Sequence, residues 1–179
     1  EQSSPTLGPD TQFRITSDKT DALAEYPNIG GKVIFSSPPD GRRVIFPESF
    51  FSDFLHTVPT GPQNPIIKNT LLDFIGAKGR LGYPDVLLDA QKMSADSAGA
   101  LRNIEVNFPR GFAQTIFTFD SKANNQFESL PVGVRYLAPP ATPPARATYS
   151  VVYFGFPLYF APKSAAIQTM RQAFIDVNE

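Results

Sequence analysis

Tyr149-Ser-Val-Val-Tyr-Phe-Gly-Phe-Pro-Leu-Tyr-Phe160 is a nearly unbroken apolar and aromatic run, rich in β-formers and punctuated by Pro157 and Pro162. A strand that is apolar at consecutive positions is covered on both faces, as the strands of a parallel sheet are. The period then changes. Ile167, Met170, Phe174 and Val177 are spaced by three or four residues, which predicts a helix over 165–178 with those four on its packing face. Ser164 stands where an N-cap belongs. A buried strand followed by an amphipathic helix is half of an α/β unit, so the expected fold class is α/β, with a mainly parallel central sheet flanked by helices.

Working outward, the chain of 179 residues has the length of a single domain. Residues 1–17 have the Ser, Pro and Gly content of an extended arm, leaving 18–179 as the domain. Helices are predicted over 18–26, over 47–56 with Phe50, Phe51, Phe54 and Leu55 as a stripe, and over 66–77 with Ile67, Leu71, Leu72 and Ile75 along one side. Strands are predicted at 32–36, 114–119 and 132–137, and 42–46 is either a second short strand or an apolar anchor. Pro38-Pro-Asp-Gly41 is a turn, 89–93 a short helix or turn, 101–108 an extended piece, and 138–147 a proline-rich connector.

Composition excludes several function classes. Sixteen basic against seventeen acidic residues leave a net charge of −1, and without a run of like charge nothing attracts nucleic acid. No stretch approaches the roughly 20 apolar residues of a membrane helix. There is no cysteine, which removes disulfides, thiolate metal sites and cysteine nucleophiles together. Eighteen prolines favour a loop-rich extracellular module. A single histidine and scattered carboxylates give no zinc site or calcium loop, and Gly30-Gly31 and Gly79-Arg-Leu-Gly82 lack the lysine and hydroxyl of a phosphate loop. No metal or cofactor is expected.

Three blocks, in order, resemble the class I glutamine-amidotransferase-like (flavodoxin-like) modules of large exported bacterial proteins. They are Ala24-Glu-Tyr-Pro-Asn-Ile-Gly-Gly-Lys-Val-Ile-Phe-Ser36, Phe50-Phe-Ser-Asp-Phe-Leu-His56, and Val151-Val-Tyr-Phe-Gly-Phe-Pro157 with the helix carrying Met170-Arg171. The resemblance implies a parallel α/β fold that begins inside the module, without its first strand and helix. Catalytic members need a cysteine on a strand-to-helix elbow, and this chain has none. The resemblance therefore implies the fold without the chemistry: a structural or protein-interaction module of a larger exported assembly, meeting other chains or neighbouring domains.

Two constellations remain. His56 is the one side chain that titrates near neutrality without strong perturbation, and Asp53, three residues earlier, shares a helical face with it; Glu48 lies eight residues before. With Ser36 or Ser37 after a strand as nucleophile, they would outline a hydrolase of glycan or peptide. The Gly-x-Ser-x-Gly elbow is absent, however, and a histidine near a helix C-terminus is explained by the dipole alone. Tyr153, Phe156, Tyr159 and Phe160 crowd the end of the central strand, where open α/β sheets meet ligands and partners. They are the expected partner-binding residues, the alternative being that they pack under loops of the same chain; a carbohydrate-binding module would need exposed aromatic platforms.

Overall fold

The structure, a computed structural model, describes residues 25–27, 29–37, 48–58, 67–94, 97–137, 139 and 148–178. The predicted arm at 1–17, most of the helix at 18–26, the turn and strand at 38–46 and all but Pro139 of the connector at 138–147 lie outside the described residues.

One curled, half-barrel sheet forms the body. Its strands are β1 (Lys32–Ser36), β4 (Phe74–Gly79), β5 (Val86–Leu87), β8 (Gln114–Ser121), β9 (Pro131–Leu137) and β10 (Ser150–Phe154), in the order β1-β10-β9-β8-β4-β5. Two small ribbons pair β2 (Thr57–Val58) with β7 (Phe108–Pro109) and β3 (Ile67–Lys68) with β6 (Glu105–Val106), both antiparallel. The helical pieces that bear on the site are α1 (Glu48–Asp53), a 3-10 turn at Leu158–Phe160, and α2 (Lys163–Asp176).

The fold class corrects the expectation of a parallel sheet. Only β1 and β10 run parallel; every other pair in the sheet is antiparallel. The opening stretch reports what it physically encodes, burial on two sides. Val152 and Phe154 enter the core under α2, while Val151 and Tyr153 enter the core under α1. Strand direction is not written in that pattern. Parallel neighbours need long crossovers, usually helical, and here Ser121 returns to Pro131 through a short turn rather than a helix. The flavodoxin-like fold that the resemblance implied is not the fold of this chain.

The helix expected over 66–77 is instead β3, a bend and β4. Local side-chain bonding breaks it. Asn69 Nδ2 donates to Leu71 O and to Asp73 Oδ1, and Asn69 Oδ1 accepts from Ile104 N. Asn125 also bonds Asp73. These bonds replace the i→i−4 ladder. Gly76 then lets β4 lie so close to Val86 and Leu87 that a Cβ has no room. The strands at 32–36, 114–119 and 132–137 form as expected, and Asp89 caps a 3-10 turn at Ala90–Lys92. No helix among the described residues is long and apolar enough to cross a membrane.

Candidate functional site

An open apolar groove lies against α2. Proline at 157 and 162 isolates the turn Leu158–Phe160 and releases the chain into the helix, whose N-cap is Pro162 with no side-chain bond. Ser164 lies inside the helix, so the expected cap is corrected to Pro162. Of the four residues expected on the packing face, Val177 is buried and Met170 partly buried, whereas Ile167 and Phe174 lie outside it. Thr169, Ala173, Asp176 and Val177 are the buried positions, with Ala165, Ala166 and Met170 partly buried against the core. Small residues let the helix approach the sheet closely, and the bulky stripe turns outward. Ile167 remains 44% exposed and Phe174 56%.

Tyr159, 61% exposed, stands across from that stripe. Together with Leu158 and Met170 these side chains line a groove of about 640 Å³. Its far wall is held in place. Lys92 Nζ donates to Tyr159 O at 3.0 Å and to Ala161 O at 2.6 Å, and lies 5.7 Å from the Tyr159 ring centroid. Lys163 and Arg171 complete the polar edge, so among the described residues the lining carries three cations and no carboxylate. The nearby Asp89 carboxylate is committed to Gln91 N at 3.0 Å.

The four aromatics expected to meet a partner are distributed differently from one another. Tyr153 is buried against Phe51, with ring centroids 5.6 Å apart, and its hydroxyl bonds the buried Glu105. Burial, and then Glu105, push that hydroxyl's pKa well above its ordinary value. Phe156 packs between Phe74 and Phe117 in the other core. Phe160 is half-buried and edge-on to Tyr159 at 5.1 Å. Only Tyr159 of the four presents a broad surface to solvent.

His56 occupies a second constellation, away from the groove. α1 stops at Asp53, ahead of it, and His56 takes φ 51°, turning the chain into β2. Asp53 and His56 therefore do not share a helical face. Glu48 opens α1. His56 Nε2 lies 2.7 Å from Tyr149 Oη, and Tyr149 donates to Asp53 O at 2.9 Å. The hydroxyl has one proton, and with that proton on the Asp53 carbonyl the ring donates from Nε2. The imidazole also lies over Tyr136 with centroids 3.9 Å apart. Burial lowers the His56 pKa, Asp53 opposes that shift and Arg110 adds to it, so the ring is neutral at pH 7. Burial raises that of Tyr149, helped by Tyr136.

Ser36 Oγ donates to Phe156 O at 3.1 Å and accepts from Leu158 N at 3.1 Å. Ser36 pairs with Phe154 at one end of β10, whereas Tyr149 precedes the other end. Five strand residues separate them, about 16 Å at the rise of a strand. The groups named for a hydrolase are thus not assembled around the imidazole. Among the described residues no three His, Asp or Glu side chains gather as a metal site requires.

The groove-lining residues Lys92, Lys163 and Arg171 went unnoticed in the sequence. The signal was available: α2 is apolar over more than one stripe, and a helix can bury only one against a sheet. No protein-family model matches the chain, and no curated protein does.

Proposed function

We propose that this chain is a non-enzymatic protein-interaction module, and that it engages its partner through the outer face of α2 and the adjoining turn at Leu158–Phe160. The exposure of Ile167 and Phe174 on a helix already anchored by its opposite face carries the reading. Contiguous apolar surface of this kind marks interaction sites on soluble proteins. Tyr159 and Arg171 are residue types enriched among interface hot spots. The proline content supports an exported or cell-surface location.

A photo-crosslinking side chain at Phe174 tests the reading in the source cells. Capture of a discrete partner from that position, abolished by Ile167→Glu, is expected. The same group at Phe112, also exposed at 72% but outside the groove, should capture nothing. Equal capture from both positions, or capture insensitive to Ile167→Glu, would remove the assignment.

A further inference from the structure

Building on that docking face, we infer that its occupant is an acidic amphipathic helix from another protein, laid along α2 with its apolar residues at three- and four-residue spacing. The spacing comes from the groove itself. Ile167, Met170 and Phe174 repeat at intervals of three and four, the interval that lets one helix interdigitate with another. From Lys163 to Phe174 the stripe runs about 16 Å, roughly three turns of a facing helix. Met170 supplies an adaptable contact midway, and Lys92 fixes the Tyr159 wall before anything binds. A preordered wall reduces the ordering cost of association.

The charge of the partner follows from the rim. Among the described residues, Lys92, Lys163 and Arg171 face the groove without a carboxylate in the lining, and neither Lys163 nor Arg171 forms an ion pair. The first turn of α2 also lacks an acidic residue, so its positive end adds to the same field. Glutamates flanking an apolar stripe would satisfy that field. A second copy of this chain would not. Two-fold pairing sets a patch against itself, and here it would bring three cations against three. A small apolar ligand fits less well, because such ligands are held in clefts that cover most of their surface. This stripe is half open.

The test is selection on the intact protein from a displayed library of helices about 18 residues long, five turns. Leucine is fixed at alternating three and four spacing, and the flanking positions are randomised among Glu, Gln and Lys. Expected is enrichment of sequences rich in Glu, which bind the Lys163→Glu/Arg171→Glu variant about tenfold more weakly or worse. Their binding should weaken as salt is raised. Enrichment without charge bias, lost on Phe174→Asp, would overturn the acidic occupant and leave the docking face standing. Selection of nothing, with Phe174→Asp-sensitive dimerisation in sedimentation, would assign the face to a second copy. Selection of nothing, with binding to phosphatidylserine vesicles that Phe174→Asp abolishes, would assign it to a membrane surface. Selection of nothing with neither would sink both this inference and the docking reading.

Discussion

Arg135 on β9 reaches the carboxylate of Asp176, in the last turn of α2, at 2.8 Å, and Asp176 is only 1% exposed. Tyr83 donates to the other oxygen at 2.7 Å, and Gln172 donates to the first at 2.8 Å. Arg135 is itself oriented by Gln114 at 3.0 Å. A carboxylate at a helix C-terminus opposes the dipole, so these partners offset both that and the cost of burial. The knot fastens α2 to the sheet and decides which helical face is left outside. Burial and the Asp176 carboxylate keep the Tyr83 hydroxyl protonated throughout the physiological range.

Asp176→Ala should therefore destabilise the protein by about 3 to 5 kcal/mol, because it strands a mostly buried cation. Replacing both partners, Arg135→Met with Asp176→Leu, should recover most of that loss. Urea denaturation of the two variants measures the difference. Equal destabilisation by the single and the double change would show that the knot does not act as a pair.

Thr169 is fully buried, and its hydroxyl has no partner among the described residues. Thr169→Val keeps the shape and removes the unsatisfied group, so a gain of about 1 kcal/mol is expected. The midpoint of thermal unfolding should rise. A fall would mean that the hydroxyl is bonded in solution.

Gly155, just past the end of β10, lies against Glu105 of β6 and Val132 of β9. A Cβ there would overlap Glu105 O and crowd Val132 O, both backbone atoms that cannot rotate away. Gly155→Ala is expected to cost about 1 to 3 kcal/mol by forcing those segments apart. Its measure is the denaturation midpoint, and an unchanged midpoint contradicts the packing described.

His56 gives the fold a pH dependence of defined sign. Its pKa in the folded protein is below the ordinary value of 6.5. Above 6.5 both states hold a neutral ring and the group contributes no slope. As pH falls below 6.5 the unfolded chain takes up a proton that the folded chain resists, and stability declines until the folded pKa is passed. Unfolding free energies at pH 7.5 and 5.5 should differ more for the native sequence than for His56→Asn. An equal difference in the two proteins would contradict the assigned shift.

The two faces of α2 should respond oppositely to substitution. Ile167→Ser and Phe174→Ser each alter an exposed side chain and should change stability by no more than about 0.5 kcal/mol. Ala173→Leu inserts bulk into a fully buried position and should cost about 1 to 3 kcal/mol. Paired melts of the three variants check this, and a large loss from either serine variant would place the bulky stripe inside the core.

How legible this was varied with the kind of signal. β1, β8 and β9 were readable because β-rich runs between turn residues need no distant partner to be recognised. β4 was hidden by helix-like spacing in 66–77; the bonds of Asn69 to Ile104 and of Asp73 to Asn125 override that spacing, and they join residues up to 52 positions apart. In the candidate site, Tyr159 stood out by composition, whereas Lys92 came from a turn with no sequence link to α2.

The sequence by itself determined that the run ending at Phe154 is buried on two sides, that a helix follows it, and that cysteine chemistry is absent. Those properties depend on residue type and local period. Only the tertiary structure decided that the sheet is mainly antiparallel, and that Ala173 rather than Phe174 faces it. Strand direction is set by which segments meet, and the inward face of a helix with two apolar stripes is set by what it packs against.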